Sequence, residues 1–396
     1  MKKPIQHIYL IIFLYCLAAN FAHPVTPSFI KQLGLHDYMF GLAFGMMALA
    51  NFIFSPFWGK MAERFGPGRV LSVALFGYAC MQLAFGSSTK EWQICVARFF
   101  GGFFISAISV SQIIYVMQNS DQPGHDLAVM NSNSTVVSQF GFLIGGFLGD
   151  LSVKWTFLIQ AACLCGIGIL GMFILKDTEI VEKKPFSVKE INPFADFIAC
   201  RDLMTTYMTL FLAMTAMTGF GTTAYEQCFN YYIKDVFGFP SSANGIVKAI
   251  IGFVCFALNT FVTLKIIRRG HIDRMINYFY VGMVVMLLGV VLIDVFVPFM
   301  AVNILFFGVN SIVSTILYNM IAVHGSERGA ESAGLFNATR MLGSVAGSFT
   351  AGFIYTMGPK ISFVVSAVVL SLALVLSLAH YIYGKKQKEV YKNGSL

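Results

Sequence analysis

The stretch PFWGKMAERFGPGR, residues 56–69, interrupts a chain that is otherwise strongly apolar. It lies between two long apolar runs and carries the charged residues Lys60, Glu63, Arg64 and Arg69 among several glycines. Charged side chains are costly inside hydrocarbon. A turn of this composition between two apolar runs therefore predicts a loop at the surface of a membrane.

The composition of the whole chain indicates the same class of protein. Of its 396 residues, 57% are hydrophobic and 12% are charged, whereas a soluble domain carries about 25% charged residues. This balance predicts an all-α integral membrane protein, because helices satisfy their backbone hydrogen bonds internally. The 8 cysteines form no C-x-x-C pair, so we expect reduced thiols, no metal site and no cofactor.

Apolar runs long enough to cross a bilayer recur along the whole chain. The predicted spans lie near 5–27, 38–58, 70–87, 92–117, 127–149, 155–175, 203–230, 242–264, 275–296, 299–323, 333–356 and 362–384. A polar interval separates the first six from the last six. The sequence therefore predicts 12 transmembrane helices in two six-helix bundles, 1–175 and 203–396, joined by a central loop at 176–202.

The central loop contains apolar residues at helical spacing, which predicts a short amphipathic helix at the interface. These residues are Phe186, Ile191, Phe194, Phe197 and Ile198. A plain linker between the two halves is the simpler interpretation.

Basic residues gather in the loops of one predicted side. If the chain starts in the cytoplasm, most of its 27 Lys and Arg lie on the cytoplasmic side. By the positive-inside rule this predicts a multi-pass protein of the cell membrane with both termini cytoplasmic. The net charge of +8 then reflects contact with anionic lipid, and no nucleic-acid partner is expected.

The opening stretch resembles the loop motif of the major facilitator superfamily, G-x-L-a-D-r-x-G-r-r. The positional matches are Gly59, Ala62, Arg64 and Gly66. Met61 and Glu63 are chemically close replacements, whereas Pro67 and Gly68 stand where the family has a basic pair. The resemblance implies the fold of that family and a secondary transporter.

The resemblance also implies a gate in this loop, formed by Gly59, Lys60, Glu63, Arg64, Gly66 and Arg69. Glu63 would accept hydrogen bonds from the start of span 11, near Glu331, and release them when the cytoplasmic side opens. Taken without the resemblance, the loop is a basic turn that satisfies the positive-inside rule.

Two weaker motifs resemble those of the drug:proton antiporter group of this family. In span 4, ARFFGGFFISA places Arg98 before Gly102, with Gly101 where that group has a polar residue. In span 5, GFLIGGFLGD supplies the antiporter-like glycines Gly141, Gly145, Gly146 and Gly149, without the usual proline. Small residues at this spacing also let two helices approach closely, so simple packing is an alternative.

A short internal repeat supports two related halves. NST at 133–135 in span 5 matches NAT at 337–339 in span 11, and glycines follow both. Transporters built from such halves bind substrate at the interface between them.

Apart from residues near span ends, three charged residues lie inside predicted spans, namely Arg98, Glu226 and Arg340. A charge at a helix centre costs about 2.5–3.5 kcal/mol, so each needs a partner or a water-filled cavity. Arg98 and Glu226 are predicted proton-coupling residues, because the setting of Glu226 resembles that of an acidic residue in span 7 of some proton-driven exporters. All three are candidate substrate ligands, although a structural role is the alternative for each.

Further candidates for the substrate site are polar or aromatic residues in spans that line the cavity of the family. They are Asn20, Tyr225, Asn230, Asn310 and Asn319. No nucleotide-binding loop or nucleophile–base pair is evident, so we expect neither ATP-driven transport nor an enzyme.

The sequence thus predicts a monomeric, proton-coupled transporter that works by alternating access and exports amphipathic or cationic small molecules. A proton-coupled importer of a small anionic nutrient and a lipid exporter are the alternatives within transport. A non-transporting membrane receptor or scaffold is the alternative from another class.

Overall fold

The computed structural model describes residues 5–177, 192–194, 198, 201, 204–269, 272–324 and 329–393. Within these ranges the regular structure is helical and no strand occurs. The helices are α1 (Gln6–Ala19), α2 (Thr26–Gln32), α3 (Met39–Phe65), α4 (Pro67–Gly86), α5 (Glu91–Asn119), α6 (Pro123–Leu151), α7 (Val153–Ile174), α8 (Thr206–Asp235), α9 (Ser241–Leu258), α10 (Leu264–Arg269), α11 (Ile272–Leu292), α12 (Phe296–His324), α13 (Gly329–Met357) and α14 (Ile361–Asn393). A π-helical turn, Asn259–Thr263, joins α9 to α10.

In the described part of the chain, 9 helices are long and apolar enough to cross a membrane. α1 is apolar but shorter. α8 and α13 have 30 and 29 residues and fall outside the apolar set, because polar residues recur along both. These two helices are also the ones that carry Glu226 and Arg340.

The first predicted span is broken into two helices. α1 ends at Ala19 and α2 begins at Thr26, with Pro24 in the turn between them. Pro27 lies in the first turn of α2, where the missing N–H would have had no helical partner.

By internal contacts the chain divides into two compact units. Unit 1 comprises Met1–Pro193 and Asn230–Gly252, and unit 2 comprises Phe194–Phe229 and Phe253–Leu396. The predicted bundles, 1–175 and 203–396, stay a prediction. Most of the amphipathic helix predicted in the central loop lies outside the described residues.

In unit 1, α5 packs against α3 and α4, α7 against α4, and α1 against α6 and α7. The buried core between them is aliphatic and aromatic and includes Ile8, Ile11, Leu71, Leu75, Tyr78, Ile108 and Leu164.

A polar cluster around α2 ties residues 230–252 into unit 1. Lys31 forms an ion pair with Asp235 and lies 3.6 Å from a carboxylate oxygen of Asp37. Tyr231 donates a hydrogen bond to Asp37. Partial burial lowers the pKa of Lys31, but the hydrogen bond and charge of Asp235 outweigh it and raise that pKa above its ordinary value.

In unit 2, α11 packs against α12 and α14. An aromatic cluster fills its core, and Tyr225 is fully buried there, 4.5 Å between ring centroids from Phe306 and 5.2 Å from Phe363.

Candidate functional site

One face of α8 is lined by hydroxyl groups and ends in a carboxylate. Thr215, Thr218, Thr222 and Glu226 follow one another at intervals of three or four residues, which places them on the same side of a helix. Thr215 donates its hydroxyl proton to the carbonyl oxygen of Phe211 at 2.9 Å, and Thr222 donates to that of Thr218 at 2.7 Å. Because these protons are used within the helix, the oxygen lone pairs remain available as acceptors.

This face of α8 borders a cavity of about 100 Å³ within unit 2. Polar side chains from α8, α12 and α13 form most of its wall. The lining residues are Thr215, Thr218, Gly219, Thr222, Thr223, Glu226, Asn310, Ser314, Leu317, Tyr318, Phe336, Arg340 and Ser344. Glu226 and Arg340 are the two charged residues among them.

Arg340 is held by an aromatic neighbour. It donates a hydrogen bond from Nη1 to the hydroxyl of Tyr318, and its guanidinium carbon lies 5.3 Å from the centroid of that ring. Tyr318 in turn meets the edge of Phe336 at 5.0 Å between centroids. These contacts orient the cation without neutralising it.

Asn310 and Asn319 of α12 occupy different environments. Asn310 lines the cavity, and its Oδ1 is buried without a hydrogen-bond donor among the described residues. Asn319 is not among the lining residues. Both asparagines are predicted from sequence as candidates for the substrate site, but only Asn310 contributes to the wall of this cavity.

The cavity brings together three of the residues predicted from sequence, Glu226, Asn310 and Arg340. Tyr225 does not line it, because its ring lies in the aromatic core and its hydroxyl donates to Oδ1 of Asn303. Asn20 and Asn230 belong to unit 1, and Asn20 donates from Nδ2 to the carbonyl oxygen of Cys16 at 2.6 Å.

Arg98 is a buried cation in unit 1, with 5% of its surface exposed. Its guanidinium carbon lies 3.8 Å from the centroid of Phe85, and Nη2 donates to Oγ1 of Thr26 at 3.0 Å. No ion pair of Arg98 occurs among the residues that the structure describes. Stacking on an aromatic face stabilises such a cation where water is excluded, and this favours the structural alternative for Arg98.

The opening loop is organised by a carboxylate that sequence reasoning missed. Asp177, just after α7, accepts hydrogen bonds from the backbone N–H groups of Gly68 at 2.6 Å and Arg69 at 3.1 Å. It therefore neutralises the positive end of the α4 dipole. Gly66 has φ +95°, and a Cβ there would overlap the Asp177 carboxyl group, so both conformation and space require glycine.

Within the loop itself, Lys60 lies 3.4 Å from the carboxylate of Glu63 on the exposed end of α3. Arg64 lies over the ring of Phe65 at 5.7 Å from the centroid. The predicted contact of Glu63 with the start of span 11 stays a prediction, since residues 325–328 and the side chain of Glu331 lie outside the described part of the chain.

The glycines of α6 make close helix contacts. A Cβ at Gly141 or Gly145 would overlap the backbone at Leu17 or Phe21, in and just after α1. A Cβ at Gly146 would lie 2.7 Å from the carbonyl oxygen of Ser241, and one at Gly149 would lie 3.1 Å from the Cβ of Ser241. Helix packing therefore accounts for all of these positions, and an antiporter role for them stays a prediction.

Unit 2 contains the same kind of contact between α8 and α13. A Cβ at Gly343 or Gly347 would overlap the backbone at Ala216 or Phe220. In each unit, two glycines four residues apart on one helix thus meet two backbone positions four residues apart on another. This recurrence extends the short internal repeat found in the sequence.

Comparisons with known proteins agree with this architecture. The family model described as Major Facilitator Superfamily matches residues 8–348. Multidrug resistance protein 2 of Bacillus subtilis is 23% identical over 96% of this chain and 97% of its own length. The quinolone resistance protein NorA of Staphylococcus aureus is 26% identical over 59% of this chain and 60% of its own.

Solved structures give the same result for the fold. The crystal structure of a mutant of the nucleoside transporter NupG superposes with a TM-score of 0.78 at 12% identity, covering 95% of this chain and 99% of that one. A bacterial homolog of the human lysosomal transporter Spinster superposes with a TM-score of 0.71 at 13% identity, covering 95% and 96%. The predicted all-α membrane fold and the family resemblance are confirmed.

Proposed function

Because this chain belongs to the major facilitator superfamily, we propose that it is a proton-coupled secondary transporter that exports cationic or amphipathic small molecules. The observation that carries the proposal is Glu226 of α8, a carboxylate in the wall of a polar cavity. The names of its relatives, a multidrug resistance protein and a quinolone resistance protein, support export of small molecules.

Glu226 couples the proton flux to the substrate flux, because the proton and the cationic substrate compete for its carboxylate. The charged form of a carboxylate is costly in the membrane interior, so binding of either a proton or a cationic substrate at Glu226 lowers that cost. Binding of one releases the other, and exposure of the cavity to each side in turn converts a proton gradient into substrate movement. The transporter lies in the cell membrane with both termini cytoplasmic, and the loop at 56–69 forms part of its cytoplasmic gate.

Import of a small anion, with Arg98 and Arg340 as ligands, is the second candidate within transport. The burial of Arg98 against Phe85 weighs against it, because a ligand would first have to displace an aromatic ring. No contact among the residues that line the cavity supports lipid export or a non-transporting receptor or scaffold.

Proton movement in proteoliposomes tests the proposal. Vesicles loaded with the pH dye pyranine receive ethidium, an amphipathic cation, or 5-aminopentanoate, a small hydrophilic ammonium compound. We expect at least one of them to drive lumenal protons outward through the wild-type protein. We expect Glu226→Gln to abolish that flux.

Glu91→Gln is the matched control. Glu91 begins α5, accepts a hydrogen bond from Tyr38 at 2.7 Å and does not line the cavity, so this variant should keep the coupled flux. Unchanged coupling in Glu226→Gln would refute the role of Glu226. Proton flux into the lumen together with the probe would identify a symporter and replace export by import.

A further inference from the structure

We propose that the cavity of unit 2 binds a small hydrophilic zwitterion, with a primary ammonium at Glu226 and an anionic group at Arg340. This inference rests on the proposed function, since it names the substrate class of the same site. Among cationic compounds, it selects those that carry a primary ammonium at one end and an anionic group at the other, in place of lipophilic cations.

The Glu226 end of the cavity is rich in acceptors. Thr222 has already donated its hydroxyl proton to its own helix, so its oxygen offers lone pairs. Oδ1 of Asn310 is buried without a donor among the described residues. A buried acceptor without a donor destabilises the cavity that contains it. A primary ammonium carries three N–H donors, so it can donate to Asn310 and Thr222 while its positive charge lies beside the carboxylate of Glu226.

A quaternary ammonium does not meet this requirement. It has no N–H, and proteins bind such cations chiefly on the faces of aromatic rings. The two aromatic residues of the cavity wall are Tyr318 and Phe336, and Tyr318 is occupied by Arg340 and by Phe336 itself. The hydroxyl and amide groups that make up most of the wall also disfavour a lipophilic cation.

Arg340 supplies the opposite charge, and its backbone lies at a different height from that of Glu226. Its backbone is level with Gly219, because a Cβ at Gly219 would lie 2.6 Å from the carbonyl oxygen of Arg340. Glu226 lies seven residues further along α8, which corresponds to a rise of about 10 Å. No ion pair of Arg340 occurs in the described ranges. The cavity therefore suits a ligand whose two charges are separated by a short chain.

Binding to the purified protein in lipid nanodiscs, without any gradient, tests this inference. The probes are 5-aminopentanoate, its N-trimethyl derivative, its amide and pentanoate, which remove the N–H donors, the negative charge and the ammonium in turn. We expect 5-aminopentanoate to bind the wild-type protein at least about tenfold more tightly than each of the others, a difference of about 1.4 kcal/mol.

Variants assign each end of the ligand. Arg340→Gln should bind 5-aminopentanoate and its amide equally, and Glu226→Gln should bind 5-aminopentanoate and pentanoate equally. Thr222→Val should weaken the binding of 5-aminopentanoate several-fold by removing one acceptor. Thr209→Val is its control, because Thr209 lies on α8 but is exposed and does not line the cavity.

Equal binding of the trimethyl derivative would overturn the inference, as would unchanged binding in Glu226→Gln or Arg340→Gln variants that elute as folded monodisperse protein. These results are independent of the coupled-flux assay. Selective binding without proton movement would leave the zwitterion site standing and refute coupled export. Ethidium-driven proton flux with no binding of 5-aminopentanoate would support coupled export and refute the zwitterion site.

Discussion

Asp177 is a single side chain that holds the beginning of a helix 109 positions earlier in the chain. Its carboxylate has 8% of its surface exposed and bonds to backbone N–H groups that have no partner within α4. A charge-assisted bond of this kind is stronger than a neutral one and is shielded from salt when buried. The glycine-rich sequence of the opening loop is thus explained by the space that this carboxylate occupies.

Replacement of Asp177 by Ala should lower the stability of the protein by about 1–2 kcal/mol, the usual effect of losing a helix cap. Thermal unfolding in detergent measures the loss. Asp294→Ala is the control, since that carboxylate is 81% exposed and pairs with Lys360 at the surface; exposed pairs contribute about 0–1 kcal/mol. Equal shifts in the two variants would contradict a capping role.

The two asparagines of α12 provide a second prediction. Asn310→Ala removes a cavity acceptor and should reduce 5-aminopentanoate affinity by about tenfold, as expected for one hydrogen bond to a charged group. Asn319→Ala, nine positions away on the same helix, should leave it unchanged. Nanodisc binding measures both, and a larger effect at Asn319 would contradict the assignment of the binding site to this cavity.

Sequence reasoning selected three of the residues that line this cavity, Glu226, Asn310 and Arg340. It could not tell such residues from buried polar residues elsewhere, for a physical reason. In the sequence, a polar residue in an apolar run looks the same whether its side chain lines a cavity or is hydrogen-bonded within the buried core. Tyr225 belongs to the second kind, because its partner Asn303 lies 78 positions away. The threonines of α8 were not predicted as cavity residues, because their hydropathy is intermediate. Their spacing of three and four residues, which places them on one face of a helix, is visible in the sequence.

At the scale of helices, close glycine contacts join α1 with α6 in unit 1 and α8 with α13 in unit 2. Such contacts gain dispersion energy and bring backbone dipoles together, and lipid provides no competing hydrophobic drive. The sequence showed the glycines but not their partners. The helix bounds were largely predictable, because apolar length fixes a membrane span, whereas the break between α1 and α2 depends on Pro24 and local turns.

Gly145→Ala should destabilise the protein by about 1–3 kcal/mol, the usual cost of overpacking, because the new methyl group overlaps the backbone of Phe21. Gly166→Ala in α7 is the matched control, since a Cβ there meets nothing within 4 Å. That substitution should be neutral or stabilising, by up to about 1 kcal/mol of helix propensity. Thermal unfolding of the two variants decides the matter, and a larger loss for Gly166→Ala would refute close packing at Gly145.

For the whole molecule, the distribution of basic residues predicts a topology that reporter fusions can measure. Green fluorescent protein fused after residue 396 should fluoresce, because it matures in the cytoplasm, and alkaline phosphatase at the same point should be inactive. Fusions at Lys90, between α4 and α5, should give the opposite pattern. A fluorescent fusion at Lys90 would invert the predicted orientation and place the loop at 56–69 outside the cell.

The polar face of α8 has a consequence for how the chain is made. A segment that contains Glu226 and several threonines partitions into lipid less readily than its neighbours, yet it is synthesised about a hundred residues before α13, the helix it packs against. During that interval its hydroxyl groups are satisfied by its own carbonyl oxygens, but its carboxylate has no completed cavity to occupy. We therefore expect α8 to remain beside the insertion machinery until α13 emerges. The insertion of α8 into the bilayer would then be completed only after the later helices of unit 2 have been made.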